Sequence, residues 1–180
     1  MTDFMEIIKG RRSIRRYQDQ QIPEEQLNKV LEAIRWSPSW ANSQCWEVIV
    51  IKDSVIKQKL QETMATGNPA TKAIGEAPIV IALCGKLQSA GYKKEQAATK
   101  FGDWFMFDIG IATQNLCLTA YHLNLGTVIV GLFDQDKAKE ILEVQEGYEL
   151  VVLIPLGYPA QEGREPNRKE ISEFLHYDKF

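Results

Sequence analysis

Between Asp103 and Asn124 the chain carries a helical stretch that is apolar almost all the way round. Phe105, Met106, Ile109, Ile111, Ala112, Leu116, Leu118 and Ala120 leave it no continuous polar face. Such a helix is normally a buried one, so the fold has to be built around it. It carries more apolar surface than one sheet can cover, and contact with a second copy of the chain would account for the surplus. Leu125-Gly126 is expected to close it, glycine being common just past a helix end. With 180 residues, 44% of them hydrophobic, the chain can form a sizeable core, and one domain spanning residues 1–180 is expected.

On both sides of this helix, helix and strand signals alternate. Pro23-Glu24-Glu25 reads as a helix start, followed by Leu27, Val30, Leu31 and Ile34 at helical spacing; Ser37-Pro38 stops it. Trp46 to Ile51 is a β-branched strand, and Val55, Ile56, Leu60 and Met64 mark a second helix. The continuous apolar run Ile79 to Leu83 suits a strand covered on both faces. Lys86 to Lys100 has a weak pattern, expected to be a mobile polar segment or part of a helix. Thr127 to Phe133 reads as a strand interrupted at Gly131, and Asp134 as the cap of a helix from Gln135 to Leu142. Leu150 to Pro159 is the last strong strand, with Pro155 pointing to an end or a bulge. The expected class is α/β or α+β, in one domain.

The chemistry concentrates near the start, in Gly10-Arg11-Arg12-Ser13-Ile14-Arg15-Arg16-Tyr17. Arginine is a planar, permanently charged fork suited to bidentate contact with phosphate or carboxylate. If the segment is extended, Ser13, Arg15 and Tyr17 share one face and Ile14 and Arg16 the other. Arg11 and Ser13 could then converge on one anion while Arg15 reaches further along the same ligand. By itself the motif also fits a solvated basic turn.

Several classes are disfavoured. A net charge of -3 argues against a general nucleic-acid binder, because the basic cluster is local and outweighed. Cys45, Cys84 and Cys117 are odd in number and widely spaced, which suits reduced thiols, and two scattered histidines make a protein-bound metal improbable. No signal-peptide layout and no apolar run of about 18 residues is found, so a cytoplasmic protein with no membrane partner is expected. No GxGxxG follows a strand, and neither a Ser-His-Asp nor a Cys-His arrangement can be drawn.

Ordered along the chain, RRSIRRY, a helix, and SPSWANSQCW leading into a strand resemble the FMN-dependent nitroreductase family. Asp103-Trp104 before Gln114-Asn115-Leu116, Leu125-Gly126-Thr127 before a strand, and the close IPLGYPA…REPNR…ISEFLHYDKF extend the resemblance from about Met5 to the last residue. It implies a nitroreductase-like α+β fold, a central sheet flanked by helices, assembled as a homodimer with an FMN in each interface cleft. Arg11, Arg12 and Ser13 would grip the phosphate, Arg15 would lie nearer ribityl or ring, and Arg168 would be a second phosphate clamp. The family often has a basic residue two positions before that arginine, where this chain has Pro166. Pro38, Ser39, Trp40, Asn42 and Gln44 match the loop beside the flavin, mostly against the neighbouring subunit's ring. The usual Gln-Pro-Trp is here Gln44-Cys45-Trp46. Val130, Gly131 and Leu132 would cover one ring face, and Gly131 would let backbone approach closely.

The resemblance further implies an oxidoreductase in which NAD(P)H reduces FMN and a nitroaromatic, quinone or similar oxidant follows. No protein side chain is then expected to be catalytic, since the cofactor carries the reaction and the protein supplies orientation and electrostatics. Arg15 is the candidate cation near the flavin's N1 and O2. Two alternatives stay open. One is other flavin chemistry of the superfamily, such as dehalogenation, dehydrogenation or flavin fragmentation. The other is a flavin- or phosphate-binding module, a sensor or carrier, without turnover.

Overall fold

The apolar run at Ile79 becomes the middle strand of the protein, for which a computed structural model describes residues 3–180. This strand (β2, Ile79–Lys86) pairs antiparallel with β1 (Trp46–Ile51) on one side and β6 (Tyr148–Gly157) on the other. A short strand, β5 (Gly126–Thr127), continues past β6, giving the order β1-β2-β6-β5. Alternation sends Val80, Ala82 and Cys84 into one core and Ile79, Ile81 and Leu83 into another. An antiparallel sheet buried on both faces by helices gives the α+β class.

On one face lie α2 (Glu24–Arg35) and the long α5 (Phe105–His122), which pack on each other. α2 contributes Leu27, Val30 and Ile34; α5 contributes Ile109, Ala112, Leu116, Cys117 and Ala120. The short α1 (Phe4–Gly10), capped by the Asp3 side chain on the Met5 N–H, packs on α5. The opposite face carries α3 (Ser54–Gln61), α4 (Thr71–Glu76) and α6 (Gln135–Ile141). Asp53 caps α3 through the Val55 and Ile56 N–H groups, and Asp134 caps α6 through that of Lys137. α5 is covered on one side only: Met106 and Phe107 are each 59% exposed.

Several expectations need correcting. The end of α5 is made by Asn124, not Gly126: Asn124 has φ 61°, its N–H donates to Tyr121 O (3.0 Å) and the Leu125 N–H to Ala120 O (2.8 Å). That is a Schellman motif with asparagine, the usual substitute for glycine, in the left-handed position. The segment Lys86 to Lys100 holds a hairpin, β3 (Tyr92–Lys93) with β4 (Gln96–Ala97). Its turn residues Lys94 and Glu95 both have positive φ, without the Asn-Gly signature that reveals such turns in a sequence. The expected strand from Thr127 to Phe133 shrinks to β5, followed by single bridges from Val130 to Leu153 and from Phe133 to Met64.

Pro155 neither ends nor bulges β6. Its carbonyl lies 3.1 Å from the Tyr17 hydroxyl, so the missing N–H faces away from β2 and costs that ladder nothing. The irregularity falls earlier, where Leu83 pairs with Val152 and Cys84 with Leu150, leaving Val151 over. Tyr17 does not share a face with Ser13 and Arg15: it is buried beside Ile14 in the core, its hydroxyl 2.7 Å from Ile14 O.

Candidate functional site

The basic segment is laid along β5. Ser13 bridges Thr127, and the Ile14 N–H donates to Thr127 O at 2.8 Å. Ile14 fills the core against Gly126, where a Cβ would come within 2.7 Å of the Ile14 Cβ. With Ile14 buried, Arg11, Arg12, Ser13 and Arg15 form the wall of a cleft of about 410 Å³. The other wall comes from the far end of the chain: Arg164, Glu165, Pro166, Asn167 and Arg168. Five guanidinium groups against one carboxylate give it a positive lining, chemically suited to an anion with several charges. A larger hollow of about 820 Å³ adjoins it, sharing Arg11, Arg12 and Glu165 and lined otherwise by residues such as Ile7, Tyr121, His122 and Leu125.

The arginines are not equivalent. Arg12 is committed to the protein: Nη2 is 3.0 Å from a Glu165 carboxylate oxygen, and Nη1 donates to the carbonyls of Lys9 and Arg11. Arg168 donates to Pro166 O at 3.0 Å and Asn167 O at 3.2 Å, which shapes the tail and leaves other donors free. Arg16 points elsewhere and pairs with Glu76 at 2.7 Å. Arg15 has a buried Nε with no hydrogen-bond partner, an unmet donor beside the cleft. Among the described residues Arg11 makes no ion pair.

The loop from Pro38 to Gln44 joins α2 to β1 and contributes nothing to the wall of that cleft within one chain. It includes one 3-10 turn, Trp40–Asn42, and three residues other than glycine at positive φ: Ala41, Asn42 and Gln44. Ser39 Oγ accepts from the Gln44 N–H at 2.9 Å, and Asn42 Oδ1 accepts from Gln44 Nε2 at 3.3 Å. Trp40 leans on Trp104 with ring centroids 5.1 Å apart. Pro38 is exposed. Next to this loop, burial and the facing Asp108 carboxylate push the Cys45 thiol up to about 12, so it is an inert thiol at neutral pH.

Val130, Gly131 and Leu132 divide. Val130 is buried, and its N–H and C=O both pair with Leu153 at 3.0 Å, so its side chain belongs to the core. Gly131 is exposed with open space where a Cβ would stand. Leu132 is 67% exposed, and Asn68 Nδ2 holds its carbonyl at 2.9 Å. Asn68, Arg164 and Asp108 are not among the site residues expected from the sequence. Arg164 could have been found from its spacing to Arg168, and Asp108 as an acid inside an apolar helix.

Comparison with known proteins gives the family and the fold. Residues 8–158 match the model of the nitroreductase family. A Methanothermobacter thermautotrophicus protein named for NADH dehydrogenase or NAD(P)H nitroreductase activity is 33% identical over 163 residues, covering 88% of this chain and 78% of its own. A Bacillus subtilis protein named FMN reductase [NAD(P)H] is 29% identical over 176 residues, covering 89% of this chain and 67% of its own. The fold matches an FMN-dependent nitroreductase from Clostridium difficile R20291 with a TM-score of 0.81 at 24% identity, over 98% of this chain and 99% of that one. The match to the family model spans most of the chain, with the arginine segment at its start and the last strand at its end, and the chain belongs to the nitroreductase family.

Proposed function

We propose that this protein is an FMN-dependent oxidoreductase, active as a homodimer, that passes reducing equivalents from NAD(P)H to a nitroaromatic, quinone or similar acceptor. The observation that carries this reading is the cleft in which arginines from the two ends of the chain meet, with an unmet buried donor on Arg15. Its charge suits the phosphate of FMN, and the residues present fit that group. Arg11, Ser13, Arg164 and Arg168 would hold the phosphate; Arg12, tied to Glu165, would keep the tail against the basic segment. Arg15 would donate towards the ribityl chain and the ring.

FMN, when bound, supplies hydride and electron transfer, so the protein's task is to orient and shield it. Gly131 and Leu132, held by Gln135 and Asn68 through their carbonyls, would offer one wall to the ring. The Pro38–Gln44 loop lies outside the one-chain cleft, and a second chain's copy would supply the opposite wall. Arg15 would favour negative charge developing at N1 and O2.

The visible spectrum of the purified protein tests the cofactor, and flavin bands are expected. Steady NAD(P)H oxidation with a nitro compound or quinone tests turnover and separates an enzyme from a binding module. If one cleft serves donor and acceptor in turn, double-reciprocal plots will give parallel lines. Intersecting lines would exclude a shared cleft.

A further inference from the structure

Asp108 stands in the first turn of α5 and is 1% exposed. Among the described residues no cation pairs with it. Its partners all come from one loop. The Trp40 backbone N–H is shared by both carboxylate oxygens at 3.1 Å, the Ser43 hydroxyl is 3.4 Å from Oδ2, and the Cys45 thiol is 3.5 Å from it. A buried carboxylate with this many donors from one short segment holds that segment in place.

The loop needs holding. Ala41, Asn42 and Gln44 have φ of 45°, 56° and 46°, a region that asparagine tolerates but that is disfavoured for alanine and glutamine. Such conformations persist only where the surroundings impose them. One end of the loop is tied to α5 by Asn115 Nδ2 on Ser37 Oγ at 2.8 Å, and the other end to β2 by the Lys86 N–H on Cys45 O at 2.7 Å. Asp108 grips the stretch between, where Trp40 also packs on Trp104 at the start of α5.

We propose that Asp108 is a positioning residue: it fixes the Ser39–Gln44 loop so that Trp40, Asn42 and Gln44 are presented to a flavin ring. This rests on the FMN reading above. Asp108 touches neither cofactor nor substrate and acts through the loop backbone. Its effect therefore falls on the ring end of the ligand and not on the phosphate end.

The experiment compares Asp108→Leu and Asp108→Asn with wild type, titrating FMN and riboflavin and recording the near-ultraviolet circular dichroism of the Trp40–Trp104 pair. Asp108→Leu removes every acceptor, and should weaken both flavins by the same factor, roughly tenfold or more, and abolish the part of the signal owed to that pair, which Trp40→Phe identifies. Asp108→Asn keeps an acceptor for the Trp40 N–H, and should weaken both equally by about threefold and retain the signal. A folded Asp108→Leu protein with unchanged flavin affinity, or with a loss confined to FMN, overturns the proposal. Should that variant not fold, Asp108→Asn decides by the same criterion. A wild-type protein that binds neither flavin refutes the cofactor reading instead, and the dichroism then judges Asp108: an unchanged signal in a folded Asp108→Leu overturns the positioning role.

Discussion

Arg11 and Arg12 are neighbours with the same chemistry and different duties, because their surroundings differ. Arg12 spends its donors on Glu165 and two backbone carbonyls, whereas Arg11 lines the cleft without an ion pair among the described residues. A charge-assisted hydrogen bond contributes on the order of 1.5–3 kcal/mol, so Arg11→Ala should weaken FMN binding by roughly 10- to 150-fold. Riboflavin, which lacks the phosphate, should lose far less; equal losses on titrating both would remove Arg11 from the phosphate site. Cys45 gives a prediction in pH. Its thiol, raised to about 12 by burial and Asp108, keeps its proton in the folded state while the unfolded chain loses it above about 9. Its contribution to stability is therefore whole below pH 9 and is lost as pH rises towards 12, by at most about 1.4 kcal/mol per pH unit. Urea unfolding at about pH 8 and pH 10 should show a drop that Cys45→Ala reduces. Cys84, raised to about 11, and Cys117, raised by burial, would account for part of what remains.

Among the elements, β5 has a leverage out of proportion to its length. Gly126 lets Ile14 lie against it, and Thr127 fixes the Ile14 N–H, so two residues hold the middle of the basic segment. Gly126→Ala would press its methyl on the Ile14 Cβ, an atom that moves only with its backbone. It should destabilise the fold by about 1–3 kcal/mol and weaken FMN binding. Thermal unfolding and flavin titration would check this; an unaltered affinity would uncouple β5 from the site. A two-residue strand has no periodicity, which is why Thr127 to Phe133 read as a longer one. Elements with a repeating pattern were legible: α2 from Leu27, Val30 and Ile34, β2 from its unbroken apolar run, α6 from its Asp134 cap. The hairpin at Tyr92–Ala97 and α4 were not, since polar turns and a six-residue helix carry too few apolar positions to mark them. In the site, the convergence of residues 11–15 with 164–168 was legible only through the resemblance. No local pattern tells that segments about 150 residues apart meet.

For the molecule as a whole, the apolar surface left uncovered on one chain is the strongest argument about assembly. Phe4, Met5 and Ile8 of α1, Met106 and Phe107 of α5, and Ile171, Phe174, Leu175, Tyr177 and Phe180 of the tail are all exposed. Scattered apolar residues are ordinary, but a helix flank and a tail rich in them suit contact with a partner. Along α5 a hollow of about 500 Å³ is lined by Met106, Phe107, Gly110, Ile111, Gln114 and Asn115, and Gly110 leaves room there for a second helix to come close. The same helix holds Asp108 and, through it, the Ser39–Gln44 loop. Docking two copies through α5 would therefore set the loop of each relative to the other's arginine cleft, and such a two-fold interface uses every patch twice. FMN bound between chains would stabilise the dimer by mass action. Sedimentation at the flavin absorbance should show a homodimer, with dilution releasing flavin and subunits together and added FMN moving dissociation to lower protein concentration. Phe107→Glu, a charge placed on the exposed flank, should yield monomers that retain little flavin. A monomer sedimenting with its full complement of tightly held FMN would overturn the shared site.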